Sequence, residues 1–224
     1  GSWIQLGSDI DGEAAGDLSG WSVSLSANGS TVAVGAPLND GNGSYSGHVR
    51  IYEYSGGSWV KLGNDIDGEV ADDRMGESVS LSANGSTVAI GAPYNDGNGA
   101  DAGHVRIYEY TNGSWTQLGS DIDGEAAGDY SGESVSLSTD GSSVAIGAGG
   151  NDGNGSSAGH VRIYEYSGGS WIQLGSDIDG EAAGDLSGWS VSLSPNGSRV
   201  AIGAPFNAGN GTDAGHVRIY GVCH

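Results

Sequence analysis

The chain repeats itself every 56 residues without insertion or deletion, and this period constrains the fold more than any other feature. Trp3, Trp59, Trp115 and Trp171 are evenly spaced, as are His48, His104, His160 and His216, and residues 1–26 are identical to residues 169–194. Tandem units of this length form solenoids or propellers, because each must bury its apolar faces against its neighbours. The repeats run over residues 1–55, 56–111, 112–167 and 168–224, and the sequence reads as a single repeat domain.

Each unit predicts four strands. In the first, SVSLS (Ser22–Ser26) alternates and is followed by the turn ANGS, then TVAVGA (Thr31–Ala36). Asn-Gly between two such runs signals a tight hairpin, since both turn residues take positive φ in the favoured turn. The loop PLNDGNGSYSG leads to HVRIYEY (His48–Tyr54), and SGG joins it to SWVKL (Ser58–Leu62). A single Phe and a single Met leave Val, Ile, Leu, Ala, Tyr and Trp to build the core, and 44 Gly supply the turns. Short turns between neighbouring strands imply antiparallel meanders, so the fold class is an all-β propeller of four four-stranded blades.

The repeat is cut out of phase. The sequence opens with an outer-strand segment, Ser2–Leu6, and its last unit runs as far as a third strand ending near Tyr220. Ser2–Leu6 is therefore expected to complete the blade built from Ser190–Tyr220 and close the ring. The same hydrogen bonds made with a second molecule would give closed dimers or filaments. With no initiator Met or signal peptide, the sequence reads as a mature product or a fragment.

Gly20-Trp21-Ser22-Val23, Gly35-Ala36-Pro37 and Gly47-His48-Val49-Arg50-Ile51-Tyr52 resemble the FG-GAP repeat of integrin α-subunit propellers. The likeness recurs in all four units. It implies a propeller with an adhesive or scaffolding role in an extracellular protein. The family's Phe is replaced by Ser19, Met75, Ser131 and Ser187, and the third GAP reads Gly147-Ala148-Gly149. Where family members often hold calcium, between the first two strands, this chain has only the turns ANGS, TDGS or PNGS. The resemblance thus implies the fold without the family's calcium loop.

Net charge is −21, from 28 acidic residues against 7 basic ones, a surface that repels nucleic acid and anionic membranes. No apolar run is long enough to insert across a bilayer. In an up-and-down blade the link between units and the loop between second and third strands share one face, and these loops hold 22 of the 28 acids. A cation is the natural ligand of such a face. Asp9, Asp11, Glu13 and Asp17 form D-x-D-G-E-x-x-x-D, repeated at Asp65, Asp67, Glu69 and Asp73, at Asp121, Asp123, Glu125 and Asp129, and at Asp177, Asp179, Glu181 and Asp185. Carboxylates on a Gly-turned loop suit calcium, which takes six to eight oxygens. The competing reading has them capping turns and facing water.

His48, Arg50, Tyr52 and Tyr54 recur in nearly every unit, as blade-to-blade packing contacts should. Trp3, Trp59, Trp115 and Trp171 either pack between blades or offer stacking platforms for sugars. Trp21 and Trp189 are Glu77 and Glu133 in the middle units, which marks a part-exposed contact position. Asn28, Asn42, Asn84, Asn112, Asn154, Asn196 and Asn210 sit in glycosylation sequons that are equally plain turn sequences. Cys223 permits no intrachain disulfide and reads as a stray thiol or a bond to another chain. Nucleophile, base and oxyanion groups form no single unrepeated constellation, so the expectation is a non-enzyme. The sequence thus points to an extracellular adhesive or structural protein that meets protein or glycan partners at a cell surface or matrix. A lectin-like propeller and a self-assembling subunit are the alternatives.

Overall fold

The SVSL and TVAVGA runs form an antiparallel pair in every unit. The computed structural model describes residues 1–222, so the expectations for Cys223 and His224 lie outside the described residues. The first blade comprises β1 (Ser22–Leu25), β2 (Thr31–Ala36), β3 (His48–Ser55), β4 (Ser58–Lys61) and β5 (Ile66–Asp67). The second repeats it as β6 (Ser78–Leu81), β7 (Thr87–Ala92), β8 (His104–Thr111), β9 (Ser114–Gln117) and β10 (Ile122–Asp123). The third has β11 (Ser134–Leu137), β12 (Ser143–Ala148), β13 (His160–Ser167), β14 (Ser170–Gln173) and β15 (Ile178–Asp179). The fourth has β16 (Ser190–Leu193), β17 (Arg199–Ala204) and β18 (His216–Gly221).

The first three sheets carry a fifth, two-residue strand that sequence periodicity did not show. β4 pairs with the far half of β3 through Tyr52↔Lys61 to Ser55↔Ser58, and β5 pairs with its near half at His48↔Asp67 and Val49↔Ile66. The outer edge is thus one strand interrupted at residues 62–65. The first turn also differs from expectation. Only Gly29 of the Asn-Gly pair has positive φ, and Gly29 N–H donates to the Ser26 carbonyl while Ser26 N–H donates to Thr31. Asn28 instead caps the turn, its Oδ1 accepting from Ser26 Oγ and from Ser30 N–H and Oγ. The two-residue turn with both φ positive lies between third and fourth strands, at Gly56-Gly57, Asn112-Gly113 and Gly168-Gly169.

Neighbouring blades are joined through their first strands, which pack β1 on β6, β6 on β11 and β11 on β16. Ser22 Oγ donates to the Gly76 carbonyl at 2.7 Å, and Leu81 N–H donates to Ser24 Oγ at 2.9 Å. Both bonds recur one blade on, from Ser78 to Gly132 and from Leu137 to Ser80, and again from Ser134 to Gly188 and from Leu193 to Ser136. The Gly of the GAP motif follows from this closeness, because a Cβ on Gly35 would collide with the Gly76 carbonyl and Ser22 Oγ. At the opposite end the first turns form a ladder, Ala27 N–H to Ala83, Ala83 to Thr139 and Thr139 to Pro195. The core lies between blades. Ala33, Val49, Ile51 and Ile66 of the first pack on Leu81, Val88 and Ile90 of the second, and the arrangement repeats down the array.

Among the described residues the ring does not close. The fourth sheet has three strands, and Ser2–Leu6 forms none and does not pair with β18. Trp59 explains where that segment goes: its indole N–H donates to the Leu6 carbonyl at 2.9 Å, as Trp115 does to Leu62 and Trp171 to Leu118. Ser2–Leu6 therefore lies where the outer strand of a preceding blade would lie. The two ends of the array stay apart, with Val23 65% exposed on β1 and Ile219 72% exposed on β18.

Ile107 and Ile219 occupy the same repeat position, but Ile107 is fully buried. Ile107→Ala is expected to lower the unfolding free energy by about 3 kcal/mol. Ile219→Ala should change it by less than about 0.5 kcal/mol. Urea denaturation at low protein concentration checks both.

Candidate functional site

The HVRIY strand and the acidic link meet in every unit, in one arrangement in the first two and another in the last two. Arg50 on β3 donates through Nε and Nη2 to both oxygens of Asp65 at 3.1 Å, and its Nη2 also pairs with Glu13. His48, one turn of the pleat away, has Nδ1 3.9 Å from Glu13. Arg106 repeats the fork with Asp121 at 3.0 and 2.8 Å and pairs with Glu69. Arg162 turns differently, donating to the Asp123 carbonyl at 2.7 Å and lying 3.6 Å from Glu125. In the fourth unit His216 and Arg218 lie 3.6 and 3.7 Å from Glu181.

Burial disfavours the charged form of every shifted group in these clusters. It lowers the pKa of His48, His104 and His160, helped at the last two by the charges of Arg106 and Arg162. Burial pushes the Asp65 and Asp121 carboxyls up, but hydrogen bonds from Arg50 and Lys61, and from Arg106 and Gln117, hold both below their ordinary value. Burial likewise opposes the charge of Arg106, yet Asp121 and Glu69 outweigh it and its pKa rises.

Glu13, His48 and Asp65 offer three donor atoms within 4.8 Å of one another, as do Glu69, His104 and Asp121, and Glu125, His160 and Asp177. A neutral imidazole with two carboxylates is a donor set that can take a divalent metal. In the first two units an arginine already bridges the carboxylates, so a metal would have to displace or face a guanidinium.

The carboxylates of the D-x-D-G-E-x-x-x-D loop turn to separate partners. The first aspartate bonds side chains, Asp9 with Gln5 and Asp177 with Gln173. The second, at Asp11, Asp67, Asp123 and Asp179, is exposed. The glutamate meets the Arg/His pair. The last, at Asp17, Asp73, Asp129 and Asp185, is buried. It accepts backbone N–H groups of its own loop, for example Glu69 at 3.1 Å and Val70 at 3.0 Å on Asp73. It also accepts an amide from the neighbouring loop: Asn39 to Asp17, Asn95 to Asp73, Asn151 to Asp129 and Asn207 to Asp185. These buried asparagines were not singled out by sequence reasoning, although their invariance across the four units is the signal that could have found them.

The family's calcium position does not fit the ion here. The β1–β2 turn offers Asn28, Asn84 and Asn196, each spent as a turn cap, and its one carboxylate, Asp140, is held by Ser138 and Ser142. The remaining candidates are placed as follows. Trp59, Trp115 and Trp171 are half-buried against Tyr54, Tyr110 and Tyr166, with ring centroids 5.1–5.2 Å apart. Trp3, Trp21 and Trp189 are exposed. Asn42 and Asn154 use their amide nitrogens in bonds to the Gly68 and Gly180 carbonyls, and Asn112 and Asn210 are exposed.

The profile of the FG-GAP repeat family matches residues 10–52 and 178–220, within the first and last of these units. The middle units carry the same motifs in the same period. No curated protein matches the chain in sequence. Among solved structures, the chain is similar to Kuenenia stuttgartiensis hydrazine synthase (TM-score 0.54, 14% identity), over 90% of this chain and 45% of that one. It is also similar to a putative 6-phosphogluconolactonase from Bacteroides uniformis (TM-score 0.57, 13% identity), over 89% of this chain and 49% of that one. The chain thus spans about half the length of either, and at such identity the likeness shows the fold alone.

The buried histidines give stability a pH dependence. Each has its pKa lowered by folding, so the unfolded chain binds more protons as pH falls below the ordinary 6.5. Their contribution is present above that value and is lost as pH falls through it. Glu77 and Glu133, raised by burial, titrate in the opposite sense. In a Glu77→Gln/Glu133→Gln background the unfolding free energy is therefore expected to fall steadily from pH 7.5 to pH 5.5, measured by urea titration at each pH.

Proposed function

We propose that this chain is a non-enzymatic adhesive or structural propeller module, working at a cell surface or in the matrix through its acidic loop face. The observation that carries this reading is the buried Asn–Asp lock, which fixes the same loop pair in all four units. A surface that presents one rigid contact several times gains avidity, because each engaged contact raises the effective concentration of the next. The FG-GAP repeats support the reading by the company they keep in adhesive proteins. The exposed acids of that face, Asp67, Asp123 and Asp179, are its contact residues, and divalent ions are a fitting bridge to acidic partners.

A second reading has its own observation. Val217 and Ile219 on the last blade belong to the face that in earlier blades packs on the next unit, and Val23 and Leu25 on the first belong to the face that receives it. Two copies would meet head to tail through contacts the chain already makes within itself.

Beads carrying the chain are expected to be retained on surfaces coated with matrix protein. Asp67→Asn should weaken retention roughly two- to threefold, and the triple Asp67→Asn/Asp123→Asn/Asp179→Asn variant roughly tenfold or more. Retention on glycans alone would favour the lectin, and retention on neither would remove the adhesive reading. Native mass settles the second reading: 22.4 kDa at high micromolar concentration excludes head-to-tail assembly. Multiples of that mass, abolished by Ile219→Asp, support it.

A further inference from the structure

The four units are near copies, so the places where they differ carry information. A cavity of about 260 Å³ opens among the ends of the first strands, and Glu77, Tyr94, Tyr130, Glu133, Leu186 and Trp189 line it. Each of these residues stands at a position where the units disagree. The position before the conserved-length Ser/Met-Gly step is Leu18, Arg74, Tyr130 and Leu186. The position after that Gly is Trp21, Glu77, Glu133 and Trp189. The position two residues after the second strand is Leu38, Tyr94, Gly150 and Phe206, a different residue in every unit. By contrast SVSLS, GHVRIY and the Asn of the loop lock do not vary. Other positions vary too, among them Ala27, Ala83, Thr139 and Pro195, but this cavity gathers three of the variable positions in one place.

The departures make a particular chemistry. In the third unit Gly149-Gly150 replaces the Pro and large side chain found elsewhere, and a Cβ on Gly149 would stand 2.7 Å from Glu133 Oε2. The missing side chains leave room beside that carboxylate. Tyr94 and Tyr130 form an edge-to-face pair 5.4 Å apart at the wall. On the side of Glu77 the protein supplies its own cation: the Arg74 guanidinium lies 4.1 Å over the Tyr94 ring. Arg74 also draws the Glu77 carboxyl down against the upward push of burial, as does a hydrogen bond from Trp21. Glu133 has no basic partner among the groups that act on it. Burial raises it to about 7, Glu77 adds to the rise, and the Gly149 N–H opposes both.

We propose that this cavity binds a small alkylammonium cation, with Glu133 as its counter-charge and the rings of Tyr94, Tyr130 and Trp189 around its alkyl groups. Aromatic faces attract such cations, and the attraction strengthens where water is excluded. The volume lies just below the range of about 300–1,000 Å³ typical of ligand pockets, which suits a small amine better than a sugar chain. The site is separate from the exposed acids of the loop face and stands whether or not that face is adhesive.

The test is titration of the chain with n-butylammonium and with tetramethylammonium, read by calorimetry and indole fluorescence, with n-butanol, methyl glucoside and calcium chloride as comparison ligands. At pH 8 the ammonium ions are expected to bind at one saturable site and n-butanol at least about tenfold more weakly. Affinity should fall about tenfold or more by pH 5.5, as Glu133 takes up its proton in the presence of Glu77, Arg74 and the two tyrosines. Glu133→Gln should reduce affinity to a similar degree. Glu133→Trp, the residue that the first and fourth units carry and fold with, should abolish binding while leaving the circular dichroism spectrum intact. Equal affinity for n-butanol, unchanged affinity in Glu133→Gln, or saturable binding of the glucoside or calcium instead of the ammonium ions would overturn the proposal.

Discussion

The structure rests on the close approach of successive first strands. A serine hydroxyl reaches the next blade's Gly carbonyl at 2.7 Å, and a second serine accepts a backbone N–H from it. These bonds satisfy polar groups that would otherwise be buried without partners where the blades converge, a cost of roughly 1–3 kcal/mol each. They also set the spacing between blades. Gly35, Gly91 and Gly147 follow from that spacing, since a side chain there would push the blades apart. So does the core, because Val49 and Ile51 are dry only when the next blade sits at that distance.

Charge is handled at two levels. Near the chain the Arg50 and Arg106 forks neutralise the carboxylates closest to the core, and the buried aspartates are satisfied by backbone and asparagine donors. What remains on the loop face is a layer of exposed carboxylates, which gives the net charge of −21 its direction. An arginine between a histidine and two acids makes the cluster a structural ion pair first. A metal ion would enter it by competition with that guanidinium.

Much of the fold was legible in the sequence because the repeat made each local signal count four times. The bounds of β2 match the TVAVGA run, and β3 and β4 differ from their runs by one residue. β5 was not legible: two residues show no periodicity, and its pairing with β3 depends on the outer strand resuming in the same direction after the break at Leu62–Asp65. The open ring was not legible either. Strand hydrogen bonds are indifferent to which end they serve, and the indole bond from Trp59 that holds Ser2–Leu6 at the front is a tertiary contact. For the loops, composition located the acids, but only three-dimensional packing showed that Asp17 and its counterparts are buried while Asp11 and its counterparts are not. The Trp/Glu alternation at Trp21, Glu77, Glu133 and Trp189 was visible as tolerance. Its meaning required seeing that Tyr94, Tyr130 and Leu186, at two other variable positions, line the same cavity.

The ladder of turn bonds from Ala27 through Ala83 and Thr139 to Pro195 links each blade only to the next. Such a molecule behaves as a one-dimensional stack with nearest-neighbour coupling, in which an interior unit is held on two sides and a terminal one on one. Amide protection should therefore grade along the array rather than around it. The second and third blades would exchange slowest, and the three-stranded fourth would open first and set the rate at which the stack comes apart.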